Sequence, residues 1–94
     1  MPKSKYLMTK EEKHADSLKA AKKKFNADLC EAVGGVRGRY KLAQYEFAEK
    51  TGFNPSTLSK RLKNPGDITL DELIPMIFSF SEIRDSLIKS LTTL

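Results

Sequence analysis

Residues that support most catalytic and metal chemistry are scarce in this chain of 94 residues. It has one cysteine, one histidine and no tryptophan, which excludes an intramolecular disulfide and a cysteine-rich metal cluster. His14 and Cys30 are too far apart in sequence to suggest a nucleophile with its base. No apolar run approaches the ~20 residues of a membrane span, and we expect no signal peptide and a cytoplasmic location. We therefore expect neither an enzyme nor a membrane protein, and no metal ion or organic cofactor.

The charge distribution is the first positive indication of function. Hydrophobic residues are 39% and charged residues 31% of the chain, an ordinary balance for one globular domain. The formal net charge is +5, and residues 1–41, 42–64 and 65–94 carry +6, +2 and −3. A basic front joined to an acidic, apolar tail favours one face for a polyanion and another for packing or partners.

The hydrophobic pattern predicts an all-α fold of five helices without strands. Residues 1–8 are expected to form a loose basic arm, followed by a single helical domain over 9–94. A capping box of Thr9 and Glu12 opens a long first helix with apolar residues at helical spacing up to Val33. We expect Gly34-Gly35 to end this helix, because glycine costs ~1 kcal/mol inside a helix.

Four shorter helices are expected after residue 40. The second runs from about Lys41 to Lys50, and the third begins at the Asn54-Pro55 cap and reaches Lys63. Thr69 and Glu72 form a capping box for a fourth helix, which Pro75 is expected to kink or delay. The inner side of the fourth helix is predicted to carry Leu70, Leu73, Ile74, Ile77 and Phe78. Ser81 is expected to cap the fifth helix, and residues 74–80 also fit a strand, which would lack a partner.

The centre of the chain combines Gln44, Ala48, Gly52 and Leu58 at a characteristic spacing. A small residue suits a close crossing of two helices, and Gly52 suits a turn that needs a positive φ angle. Phe53 and Leu58 would then bury the second of these helices against the first. This pattern over about 42–63 is typical of a helix-turn-helix, whose second helix lies in the DNA major groove.

On these residues the chain resembles the Cro and phage-repressor (Xre-like) family of DNA-binding proteins over about residues 40–80. The strongest stretch is KLAQYEFAEKTGFNPSTLSKRLKNP. The resemblance implies a five-helix lambda-repressor-like helix-turn-helix domain, here with an extended basic N-terminal helix. Arg61 departs from the pattern, because the family usually keeps an apolar residue there, and we expect Leu62 to replace that contact.

The resemblance also implies roles for single residues. The recognition helix is about Pro55–Lys63, with base-reading positions at Ser56, Thr57, Ser59 and Lys60. Thr57 and Ser59 could instead contact only sugar or phosphate. Gln44 resembles the family's phosphate anchor. Further phosphate contacts are expected from basic or capping residues near that surface, which otherwise are ordinary solvated groups: Arg37, Arg39, Lys41, Asn54 and Lys63.

The function indicated is a sequence-specific regulator that binds a double-stranded DNA operator, of phage or mobile-element origin. The last helix either folds inward or forms a homodimer interface through Ile83, Leu87, Ile88 and Leu91. The alternative function is a protein-binding module, such as a phage inhibitor of a host enzyme or an antitoxin-like partner, which would use helix 9–33. The remaining polar groups have simpler interpretations: a surface histidine at His14, a small buried hydrophobe at Cys30, and acidic helix starts at Asp71-Glu72 and at Glu82 with Asp85.

Overall fold

The computed structural model describes residues 10–94, which form five α-helices joined by short connections. In chain order these are α1 (Lys10–Arg39), α2 (Gln44–Thr51), α3 (Pro55–Lys63), α4 (Leu70–Ser79) and α5 (Ser81–Thr92). A 3-10 turn, Pro65–Asp67, joins α3 to α4. No strand occurs within residues 10–94, which confirms the all-helical class there. The basic arm 1–8 and the Thr9 cap lie outside the described residues.

The first helix does not end at the glycine pair, and that expectation is wrong. α1 continues through Gly34, Gly35 and Gly38 to Arg39. Its buried residues Leu29, Val33 and Val36 follow one another at helical spacing across the glycines. Burial of Val36, together with the helical hydrogen bonds, outweighs the ~1 kcal/mol that each glycine costs in a helix interior.

α1 ends instead at Arg39, and Lys41, two residues later, has a left-handed backbone with φ 54°. The Leu42 N–H donates to the Arg37 carbonyl at 2.9 Å, and the Lys41 N–H donates to the Gly38 carbonyl at 3.4 Å. These two bonds form the Schellman ending, in which the left-handed residue is usually glycine. The ending delays α2, which therefore begins at Gln44 rather than near Lys41.

The core collects side chains from α1, α2, α3, α4 and α5. Phe47 stacks on Phe80 with ring centroids 5.4 Å apart, which fixes α2 against the end of α4. α5 runs back along α1, since Glu82 accepts a hydrogen bond from Tyr40 while Ser90 donates to Asp28 at 2.6 Å. The core residues with side chains fully or nearly fully buried are Leu29, Val33, Val36, Phe47, Ala48, Leu58, Met76, Ile83 and Leu87.

α1 extends well beyond this core. The described chain measures 55 × 26 × 22 Å, and the first buried residue of α1 is Leu29. Apart from the half-buried Glu12, residues 10–20 are exposed. No helix among residues 10–94 has the length and apolar character needed to cross a membrane.

The predicted start of α4 is confirmed, whereas the prediction of which residues face the core is wrong in part. Thr69 Oγ1 accepts from the Glu72 N–H at 3.2 Å, and Glu72 Oε1 accepts from the Thr69 N–H at 2.9 Å, which confirms the capping box. The helix continues through Pro75. Of the residues predicted to face inward, Leu73 and Ile77 pack against the core, but three are exposed: Leu70 by 69%, Ile74 by 51% and Phe78 by 90%.

The last helix folds inward along part of its apolar stripe. Ile83 and Leu87 are 0% and 3% exposed, so these two cannot form the expected dimer interface without unfolding the helix from the core. Ile88 and Leu91 remain 54% and 57% exposed. Ser81 is the first residue of α5 rather than its cap, and its hydroxyl donates to the Glu82 side chain.

Candidate nucleic-acid interface

The turn between α2 and α3 is fixed by Gly52. Its backbone is left-handed with φ 73°, a conformation that glycine adopts without a Cβ clash. The Phe53 N–H donates to the Ala48 carbonyl at 2.8 Å, and the Gly52 N–H donates to the Glu49 carbonyl at 3.4 Å. Ala48 is 0% exposed and Phe53 9% exposed, so the turn is tied to the core on its inner side. α3 is therefore held in one orientation relative to α2.

The first turn of α3 is capped as the sequence predicts. Asn54 Oδ1 accepts from the Ser56 N–H at 3.0 Å, and Pro55 occupies the first helical position. The Ser56 hydroxyl also donates to Asn54 Oδ1, at 2.7 Å. The side-chain oxygen of Asn54 is thus occupied by the cap, although the residue itself is exposed.

The outer edge of α3 carries the four positions expected to read bases. Ser56 and Lys60, one helical turn apart, are exposed, and Thr57 and Ser59 are half-buried. Leu58 anchors the opposite side of the helix at 0% exposure. Ser56 and Lys60 therefore share the exposed edge of α3, and the half-buried Thr57 and Ser59 flank this edge on its two sides.

The inner edge of α3 is held by an ion pair that the sequence did not predict. Arg61 Nε donates to Glu72 Oε1 at 3.0 Å. The Arg61 hydrogen bond is the main cause of a lowered pKa for the Glu72 carboxyl, with the Thr69 backbone next. Leu62, the next residue, packs against the core. The sequence predicts the capping role of Glu72 but not its pairing with Arg61, because that contact depends on how α4 packs against α3.

The predicted phosphate contacts have different environments. Lys41 and Lys63 are exposed, and Gln44 begins α2 and is half-buried. Arg37 is half-buried and its Nε donates to the Leu42 carbonyl at 3.2 Å. Arg39 is different, because its Nε lies 4.0 Å from a Glu82 carboxylate oxygen.

Arg39 lies on the side of α1 that faces away from the end of α3. Cys30, on the α3 side of α1, has its Sγ 3.7 Å from the Leu62 carbonyl oxygen. Nine residues separate Cys30 from Arg39, which places the two on opposite sides of an α-helix. Arg39 therefore lies on the α5 side of α1, over the Tyr40 ring at 5.7 Å.

Within residues 10–94, no group of three or more histidine, cysteine, aspartate and glutamate side chains is arranged to hold a metal ion. His14 is exposed on α1, and Cys30 is half-buried, with burial raising the pKa of its thiol. A cleft of about 540 Å³ lies between α1 and α5. Two of its three carboxylates are engaged: Asp28 accepts from Ser90 and Lys24, and Glu82 accepts from Tyr40.

No protein-family model, curated protein or solved structure matches this chain. What the polar edge of α3 does is therefore inferred from its residues and their geometry.

Proposed function

We propose that α2, its turn and α3 form a helix-turn-helix that binds double-stranded DNA, in a domain of the lambda-repressor-like type. The observation that carries this proposal is the outward edge of α3, where Ser56 and Lys60 are exposed while Leu58 anchors the other side. This edge carries hydroxyl groups and one ammonium group, and Leu58 holds the opposite side of the helix in the core. Such donors and acceptors suit the hydrogen-bonding pattern of the major groove. The protein would act as a Cro-like or repressor-like regulator by occupying an operator, without a cofactor.

Each residue of the edge has a defined role in this proposal. The Lys60 ammonium donates to the O6 and N7 acceptors of a guanine. Thr57 and Ser59 are half-buried, so their hydroxyls contact either a base edge or the adjacent sugar and phosphate. Ser56 already donates to Asn54, which leaves its oxygen as an acceptor for a cytosine or adenine amino group.

Phosphate contacts would position this edge. Gln44 begins α2, where the helix dipole favours an anion and where the Ala43 N–H already donates to Glu46 Oε1 at 3.0 Å. Lys41 and Lys63 are exposed basic groups near the two ends of the α2–α3 unit. Their attraction to phosphate does not depend on base sequence and weakens as salt increases.

A homodimer would pair two such edges. Ile88 and Leu91 remain exposed on α5 and are the part of its stripe available to a second copy. A two-fold pair with recognition helices about one DNA turn apart, ~34 Å, would select a near-palindromic site.

Selection of bound duplexes from a random pool tests the proposed function. The expected result is enrichment of a short common sequence, with affinity that falls steeply between low and physiological salt. The same titration on an unselected duplex measures the sequence-independent part. Undetectable binding to any duplex at low salt would reject the proposal.

A protein-binding module on the same fold is the second candidate, and one observation favours it. Leu70, Ile74 and Phe78 are spaced by four residues and form an exposed apolar stripe on α4. A contiguous apolar patch of this kind is typical of a surface that contacts another protein. Under this function, replacement of Phe78 by serine abolishes capture of the partner, whereas DNA binding by the same variant is unchanged.

A further inference from the structure

The lysines of α1 are concentrated where α1 leaves the core. Residues 17–27 contain four lysines and no acidic residue, and all four are exposed: Lys19, Lys22, Lys23 and Lys24. This excess of positive charge is not explained by packing, because the first buried residue of α1 is Leu29.

One of the four lysines is already neutralised. Lys24 Nζ donates to Asp28 Oδ2 at 2.9 Å and to Thr93 Oγ1 at 2.8 Å, so its ammonium is fixed against the end of α5. Within residues 10–94, no ion pair involves the other three. We refer to Lys19, Lys22 and Lys23 as the α1 lysine row.

The α1 lysine row lies on the side of the helix that faces the end of α3. Asn26 lies beside the 3-10 turn, where a β-carbon on Gly66 would be 3.5 Å from its amide nitrogen. One turn further, the Cys30 sulfur is 3.7 Å from the Leu62 carbonyl oxygen. Lys23 and Lys22 precede Asn26 by three and four residues and Lys19 precedes it by seven, so all three share this face.

The row therefore continues the basic end of α3. Lys60 and Lys63 are exposed on the last turns of α3, immediately before the 3-10 turn that Asn26 contacts. The separation along α1 from Asn26 to Lys19 is only ~10 Å, at 1.5 Å per residue. Two lysines of α3 and three of α1 thus follow one another around the same end of the molecule.

We propose that the α1 lysine row binds the DNA phosphate backbone beside the segment read by α3. This inference rests on the proposed function and names a second contact for the same duplex. The row reaches ~10 Å along α1 from Asn26, and successive phosphates of one strand are spaced ~3.4 Å along the axis of the duplex. The row consequently extends the footprint to one side by about three base pairs, with contacts that are independent of base sequence.

The test compares two double variants of equal net charge. Lys19→Gln with Lys22→Gln removes two charges from the row. Lys24→Gln with Lys89→Gln removes two charges from the cleft between α1 and α5. Binding of the full chain to a selected duplex is measured from 50 to 200 mM salt, and helical content and thermal midpoint are recorded for each variant.

The row variant is expected to lose about two phosphate contacts. Its slope of log affinity against log salt should be shallower than that of the wild type by ~1.8, so the ratio of wild-type to variant affinity shrinks roughly tenfold across this range. Preference for the selected duplex over a scrambled one should not change. Hydroxyl-radical footprinting should show that backbone protection is lost on one flank and retained at the centre.

The possible results distinguish a failure of this inference from a failure of the proposed function. If the wild type binds DNA but the row variant matches the Lys24→Gln/Lys89→Gln control in slope and footprint, the inference is wrong and the proposed function stands. If the wild type binds no duplex at 50 mM salt, both are wrong. If the row variant also loses base preference, the lysines act on the reading edge and not on a flank, which again contradicts the inference.

Discussion

The guanidinium of Arg61 donates to the same Glu72 oxygen that accepts the capping bond at the start of α4. Arg61 Nε and the Thr69 N–H lie 3.0 Å and 2.9 Å from Glu72 Oε1. The Glu72 carboxylate thus caps the start of α4 and also holds the inner edge of α3. The orientation of α3 is fixed by Glu72 through Arg61 and by the Gly52 turn that precedes the helix.

Glu72 is expected to make stability depend on pH in the acid range. Its pKa is lowered in the folded protein by Arg61 and then by Thr69, so the folded state favours the carboxylate. This stabilisation is fully present above the unfolded pKa, near 4.5, and is lost as the pH falls through the lower folded value. Urea unfolding between pH 7 and pH 2.5 measures it.

Glu72→Gln provides the control for that measurement, because glutamine keeps an oxygen for the cap but has no charge. The variant should be less stable than the wild type at pH 7, and the two should converge as the pH falls through the lowered folded pKa of Glu72. An equal difference at every pH would mean that the charge of Glu72 contributes nothing. Asp28, whose pKa is lowered first by Ser90 and then by Lys24, leaves some acid sensitivity in both proteins.

Two glycine substitutions should change stability in opposite directions. Gly52→Ala forces a β-carbon into a left-handed backbone and should cost ~1–2 kcal/mol in the free energy of unfolding. Gly34→Ala lies inside α1 with nothing within 4 Å of the new methyl group, and should add ~0.5–1 kcal/mol. Chemical denaturation measures both. A destabilised Gly34→Ala variant would contradict a continuous α1.

Lys41 should be replaceable by glycine with a gain in stability. Its left-handed backbone ends α1, and glycine relieves ~1 kcal/mol of the steric cost there. The same substitution removes one of the predicted phosphate contacts, so DNA affinity should fall at low salt. Denaturation and a binding titration on the same preparation separate the two effects. Reduced stability would show that the Lys41 side chain contributes more than its backbone strain costs.

Dimer formation is tested by a substitution at the exposed Ile88 and not at the buried Leu87. Ile88→Glu places a charge on an exposed position and should lower the apparent mass of a dimer while the fold is retained. Leu87 is 3% exposed, and Leu87→Glu should instead unfold the domain, because an unpaired charge would be buried. Sedimentation with circular dichroism distinguishes these results. A wild type that sediments as a monomer at high concentration would refute the dimer.

The starts of α3 and α4 were predictable from the sequence because their caps are local. Asn54-Pro55 and the pair Thr69 and Glu72 each satisfy backbone groups within three residues, so their sequence spacing is sufficient. The buried residues Ala48 and Leu58 and the left-handed turn at Gly52 were likewise predictable, because the turn requires their residue types.

The predictions for the end of α1 and for the inner face of α5 failed because both depend on tertiary contacts. The glycine pair was expected to stop α1, whereas burial of Val36 against the core carries the helix onward. The stripe on α5 did not show which of its residues face inward, and the buried set includes Ser90 but not Ile88. For the candidate site, spacing predicted the edge of α3, whereas the Arg61–Glu72 ion pair depends on how α4 packs.

The proposal that the exposed edge of α3 reads base sequence is tested most directly through Lys60. The measurement is the ratio of affinities for a selected and a scrambled duplex, for wild type and for Lys60→Ala, at fixed salt. We predict that the variant loses ~1–3 kcal/mol on the selected duplex and much less on the scrambled one, so that the ratio falls. An equal loss on both duplexes would reduce Lys60 to a phosphate contact and contradict the reading role of this edge.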